Sequence, residues 1–214
     1  MGTSARQIEN RFSKERITFM QSGAETGGEL FAFEVRVPTD VVLPPPHLHA
    51  GEEERIEVLE GEVTLQTDGR QRVLRPGDSY VVKPGVAHTW QNTGAGALRF
   101  RAEFSPAGNM QSFFETYCGL AEEGRSDEKG QPSLLQIAAS LPLWGMYLAG
   151  PPIVAQRLLM TTLRPIARLR GFRPRYQRFE QDAQRPPATE SSAPPPCLAT
   201  GAGYVRAGKD VSHK

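Results

Sequence analysis

Residues 47 to 54 read HLHAGEEE, and the chain holds only four histidines. In a β-strand, side chains at i and i+2 point the same way, so His47 and His49 face one side together and Leu48 faces the other. Two imidazoles from one segment can then converge on one ion. Three glutamates follow. Glu54 opens the alternation Glu54, Ile56, Val58 and shares the inward facing of its apolar partners, whereas Glu52 and Glu53 sit at the turn. His88 follows the turn Pro84-Gly85 and opens a strand that contains Trp90, so it brings an imidazole from elsewhere in the chain. Taken singly, a His-x-His pair also suits an exposed surface, and His88 a half-buried core residue or a turn cap. Together, His47, His49, Glu54 and His88 make a set of three imidazoles and one carboxylate. Such a set suits one divalent transition metal, among iron, manganese, nickel, cobalt and zinc.

Four protein ligands leave coordination positions open for an enol, enolate or catecholate oxygen, whose anion the ion stabilises as a Lewis acid. A redox-active ion allows reaction with dioxygen; a redox-inert one favours isomerisation or hydrolysis. Glu54 is the candidate for proton transfer if it exchanges between the ion and a proton, with Tyr80 as a second candidate. Strand parity nominates Phe31, Phe33, Ile56, Val58, Trp90 and Phe100 as an apolar pocket around the site, or as plain core.

The segments that must position these groups alternate with period two. They are LFAFEVRV at 30 to 37, RIEVL at 55 to 59, EVTLQT at 62 to 67 and LRFRAEF at 98 to 104. Asp68-Gly69, Pro76-Gly77-Asp78, Pro84-Gly85 and Asn92-Thr93-Gly94 separate them as turns. Many short strands without helical stretches between them argue for an all-β barrel or sandwich. After Pro106 the period lengthens. Met110, Phe113, Phe114, Tyr117 and Leu120 lie on one helical face, and further helices are expected over about 133 to 148 and 152 to 170, the last kinked or ended at Pro165. These helices should pack on the barrel or a dimer mate, or cap the mouth as a lid. The domain reading is a β-barrel over 15–105, a helical extension over 106–180 and a disordered tail over 181–214, where Pro, Ala, Ser and Gly dominate.

The formal net charge of +1 in 214 residues gives no whole-chain argument for a nucleic-acid partner, and none is expected. Cys118 and Cys197 lie far apart and form no cluster. The N-terminus shows no apolar leader, and a cytoplasmic setting is expected. Residues 130 to 156 carry no charge but are broken by Pro142, Pro151 and Pro152, so a buried hairpin is expected and membrane association is not. The third helix and its exit carry Arg157, Arg164, Arg168, Arg170, Arg173, Arg175 and Arg178. That is either a solvated face or a surface that meets anionic lipid or a partner.

Two motifs are complete at this point. His47, His49, Glu54 and Gly61 form the first; Gly77, Gly85, His88 and Asn92 form the second, with Lys83 where a proline belongs. Both resemble the motifs of the cupin superfamily over residues 28 to 105, and GFRPRY at 171 to 176 resembles the extension of small bacterial single-domain, quercetin-dioxygenase-like cupins. The resemblance implies a mainly β fold, a jelly-roll β-barrel with C-terminal helices, and a homodimer. The expected function is a metal-dependent oxygenase of a small aromatic or β-dicarbonyl (enol) compound. The alternatives are a non-catalytic small-ligand-binding cupin and a metal-dependent isomerase.

Overall fold

The computed structural model describes residues 6 to 39 and 44 to 182. The tail expected over 181–214 lies almost wholly outside the described residues. Ten strands come first: β1 (Arg6–Glu9), β2 (Arg16–Gln21), β3 (Phe31–Val37), β4 (His47–His49), β5 (Glu53–Glu60), β6 (Val63–Thr67), β7 (Arg70–Leu74), β8 (Ser79–Val82), β9 (His88–Asn92) and β10 (Leu98–Ser105). Then follow α1 (Met110–Glu122), α2 (Leu134–Trp144), β11 (Met146–Leu148), α3 (Ile153–Leu169) and α4 (Gln177–Asp182).

The strands form two sheets, in the orders β1-β2-β3-β10-β5-β8 and β11-β4-β9-β6-β7. This corrects the expected mainly β jelly-roll barrel. The content is mixed α and β, and neither sheet closes: β1 and β8 end one, β11 and β7 the other, and among the described residues no named strand of one pairs with a strand of the other. The chain changes sheet at turns rich in proline and glycine, such as Pro44-Pro45-Pro46, Pro76-Gly77 and Pro84-Gly85. Proline has no N–H to give a ladder, so these crossings carry no continuous backbone pairing. At the β5–β6 turn Gly61 has φ +83, and a Cβ there would lie 2.7 Å from the Ala97 carbonyl oxygen, so only glycine fits.

What joins the sheets is side-chain packing. Inward residues alternate along β5, where Glu54, Ile56 and Val58 are buried and Arg55 is exposed. Val63, Leu65 and Trp90 from the smaller sheet share one core with Phe33, Ile56 and Phe100 from the larger. Phe33 lies at the centre of an aromatic stack, with ring centroids 5.0 Å from Phe31, 5.9 Å from Phe104 and 4.7 Å from Phe114 of α1. Through Phe114 the first helix is seated on the sheet.

A second apolar cluster joins α2, α3 and β11 through Leu141, Tyr147 and Met160, and the outward Leu48 of β4 packs against it. Ser133 caps α2, accepting the Gln136 N–H at 3.3 Å, and Gly145 ends it in the left-handed conformation. The helix expected over 133 to 148 therefore stops at Trp144, and Met146–Leu148 becomes an edge strand. Pro165 does not end α3, which continues to Leu169; the carbonyl its missing N–H leaves free belongs to solvent-exposed Thr161. The GFRPRY segment fastens to α2: Tyr176 donates to Gln136 Oε1 at 2.8 Å, and Gln136 Nε2 donates to the Arg173 carbonyl at 2.8 Å. No helix among the described residues is long and apolar enough to cross a membrane.

Candidate metal centre

Strand β4 is three residues long and is held on both flanks. On one side His47 stands opposite His88 of β9; on the other, β11 sets Leu148 opposite His47 and Met146 opposite His49. Gln156 of α3 substitutes for a further strand along β11, accepting from the Leu148 N–H at 3.1 Å and donating to the Leu148 carbonyl at 2.9 Å. The Gly85 N–H donates to the His49 carbonyl at 2.7 Å and ties the β8–β9 turn to the same strand. Glu54 reaches the histidines from β5, in the opposite sheet.

The four side chains proposed by the sequence are brought together. His47, His49, Glu54 and His88 each offer one ligand atom, all within 4.8 Å of one another. The Nδ1–H of His47 donates to the Pro45 carbonyl at 2.9 Å, and that of His88 to the Val86 carbonyl at 3.1 Å. Each backbone acceptor fixes the tautomer and leaves the Nε2 lone pair to face the centre of the cluster. At His88 that lone pair then meets Glu54 Oε2 at 2.9 Å, a contact that needs a proton or a cation between the two atoms. His49 is buried and approaches Glu54 at 3.3 Å without hydrogen-bond alignment, so both its ring nitrogens lack a hydrogen-bond partner. Buried polar atoms without partners cost stability, and a divalent ion satisfies this donor set. The residues fit a metal.

The electrostatics agree with ligands held ready. Burial would raise the Glu54 carboxyl, but His49 and His88 hold it well below the usual carboxylate range. Burial, with His88 and His49 beside it, lowers His47 to about 4, so its imidazole is neutral near pH 7. Burial acts to lower His88 too, but the facing Glu54 carboxylate raises it on balance.

The cluster opens on a cavity of about 230 Å³ lined by His47, His49 and Glu54. Of the pocket residues nominated from parity, Trp90 lines it; Phe31, Phe33, Ile56, Val58 and Phe100 lie in the core between the sheets. Tyr80 does not line it and packs under the Arg72 guanidinium at 5.0 Å. Much of the wall comes from the helical half, including Phe113, Trp144, Tyr147 and Met160, residues that the sequence pattern places on helices without marking them as pocket wall. The uncharged run from 130 to 156 was the available signal: it supplies cavity wall from Gln131 to Gln156. Lys83, the departure from the second motif, pairs with Glu53 at the surface.

Glu15 was not singled out from the sequence, yet it lines the same cavity. The Ser13 hydroxyl donates to it at 2.8 Å, and burial raises its carboxyl above the ordinary range despite Ser13 and Tyr117. A folded-state carboxyl pKa above the unfolded value means that the native state binds the extra proton, so this contribution to stability is lost as pH rises from the ordinary carboxylate range through the raised value. Glu15→Gln is therefore expected to flatten that slope and to raise stability near neutral pH. Thermal unfolding of both proteins across pH 4 to 8 checks it, since the difference between the curves removes the parallel contribution of His88.

The family model described as Cupin domain matches residues 33–102. That match spans about a third of the chain, and the helices lie beyond it. Among curated proteins, the HTH-type transcriptional regulators PuuR of Escherichia coli (strain K12) and of Shigella flexneri are each 40% identical over 58 residues, 27% of this chain and 31% of theirs. The chain thus spans under a third of the regulators it matches. These matches count against the expectation of no nucleic-acid partner, because the relatives matched are regulators of transcription. Similar solved structures include an RmlC-like cupin from Shewanella frigidimarina NCIMB 400, with 24% identity, TM-score 0.42, and coverage of 50% of this chain and 89% of that one. A predicted oxalate decarboxylase from Thermotoga maritima gives 22%, 0.41, 48% and 92% in the same order. Likeness at this level says nothing of activity.

Proposed function

We propose that the chain is a metal-centred binding module for a small, mainly apolar ligand that carries one anionic or enol oxygen. The observation that supports this most directly is the joining of two unlike surfaces. Three imidazoles and a carboxylate converge at the wall of a cavity whose other faces are chiefly aromatic and aliphatic. A cavity of about 150 Å³ accepts benzene, so about 230 Å³ has room for a substituted ring or a β-dicarbonyl.

In this reading His47, His49, Glu54 and His88 hold the ion, and Pro45 and Val86 fix the tautomers of two of them. A divalent ion bound there supplies positive charge that favours an anionic oxygen. Trp90, Phe104, Phe113 and Trp144 exclude water and present flat apolar surface to the rest of the ligand. Glu15 offers a second polar contact to that ligand. Sequence likeness to transcriptional regulators supports binding over turnover, since a regulatory module reads its ligand and releases it unchanged.

The test is calorimetric titration of protein loaded in turn with iron(II), manganese, nickel, cobalt and zinc, using a catechol and a β-diketone. Oxygen uptake and the recovered ligand are followed in parallel. Metal-dependent binding with the ligand recovered intact is expected. Stoichiometric oxygen consumption overturns the binding reading in favour of an oxygenase, and an isomerised product overturns it in favour of an isomerase.

A further inference from the structure

Helix α3 has two apolar faces, and among the described residues only one of them is packed against the rest of the chain. Met160 and Ala167 are buried, and Ile153 and Leu163 pack on the α2–β11 cluster. On the other side Val154, Leu158, Thr162, Pro165 and Leu169 follow one another at steps of four, four, three and four, with Ala155, Leu159 and Ile166 in the row beside them. At 3.6 residues per turn these form one continuous face without a charge. It is open to solvent: Val154 is 77%, Leu158 67% and Leu169 88% exposed. A row of large apolar side chains this exposed marks a contact surface.

The charges around the face say what covers it. From residue 130 to 179 the chain has no Asp or Glu, and the same stretch carries seven arginines. Arg178 is paired with Glu123 and Arg175 with Glu180, while Arg157 donates to the Tyr147 hydroxyl. Arg164, Arg168, Arg170 and Arg173 have no ion-pair partner among the described residues. Arg168 and Arg170 flank the apolar rows near the helix end. A second copy docking the same face would set these unpaired arginines against each other with no acid to answer them. A nucleic acid would answer the arginines but leave the leucines in water. An anionic bilayer supplies both partners at once, hydrocarbon for the rows and negative headgroups for the arginines.

We propose that α3 docks the protein on anionic membrane surfaces, lying in the interface plane with Val154, Leu158, Leu159, Ile166 and Leu169 inserted below the headgroups. The helix is 17 residues long and lies on the bilayer without crossing it, in keeping with there being no helix among the described residues long and apolar enough to span. This takes up the lipid-facing alternative for the basic third helix and departs from the expectation of no membrane association for the chain. The face lies apart from the cavity, so the inference is independent of what the cavity binds.

The experiment is flotation of the full chain with vesicles of phosphatidylcholine alone and of phosphatidylcholine mixed with phosphatidylglycerol, at low and physiological salt. Wild-type protein is expected to float with the anionic vesicles only, less so as salt rises. Leu158→Glu with Leu169→Glu abolishes flotation. Arg168→Gln with Arg170→Gln weakens it by about fivefold for each arginine lost. All four side chains point to solvent, and near-ultraviolet circular dichroism of each variant verifies its fold. Three results overturn the proposal: wild-type protein that stays in solution with both vesicle types, a wild-type dimer in ultracentrifugation that the leucine variant converts to monomer, or duplex DNA binding lost in the arginine variant and kept in the leucine variant.

Discussion

His49→Ala abolishes high-affinity metal binding and, in the metal-free protein, costs far less stability than the loss of a buried side chain ordinarily does. Removing a group that merely orients a ligand costs about 10–100-fold in affinity; removing the ligand itself exceeds that. His49 is the informative choice because its two ring nitrogens are buried without hydrogen-bond partners. A buried polar group left unsatisfied costs about 1–3 kcal/mol, so deleting it relieves a penalty while opening space. His49→Leu comes closer to the lost volume without the ring nitrogens and is expected to cost the metal-free protein less than His49→Ala does. In the other direction, metal at a hundred times its dissociation constant adds about 2.7 kcal/mol to a protein that binds it only when folded. The wild type should show that gain and both variants should not. Elemental analysis and thermal unfolding with and without added metal measure the two effects, and a His49→Ala protein that still gains stability from metal removes the site.

Phe33→Ala should cost about 3–5 kcal/mol, the usual range for a buried aromatic cut to a methyl group. That is a large part of the roughly 5–15 kcal/mol that holds a domain folded. Phe33 belongs to the upper end because its ring touches three others: Phe31 on its own strand, Phe104 on β10 and Phe114 on α1. The cavity left behind cannot collapse without moving either a strand or a helix. Phe104 also meets the His49 ring edge-on at 4.9 Å, so the stack runs from the sheet core to the metal ligands. Urea unfolding measures the loss. A cost below about 1 kcal/mol would mean that the stack relaxes freely.

The ligand set was legible because its logic is local. The i, i+2 spacing of His47 and His49 and the parity of Glu54 with Ile56 and Val58 follow from the pleat alone, and the burial along β5 repeats that alternation. Sheet closure was not legible, because it depends on which strand edges find partners. Nor was β11: Met-Tyr-Leu inside an uncharged run has no period of its own, and its strand state is imposed by β4 on one side and Gln156 on the other. Parity likewise told which face Phe31, Phe33 and Phe100 present but not that the cavity lies further along the sheet, between the strands and the helical half. Glu15 stands just before β2, and only the tertiary fold brings it to the pocket.

Three of the ligands belong to the five-stranded sheet, and the carboxylate belongs to the six-stranded one. An ion seated among them is a rivet through two plates that are otherwise only pressed together. Amide protons of β4 and β5 should then exchange more slowly once it is in place, and a ligand that tugs on it from the cavity would be felt in both plates at once.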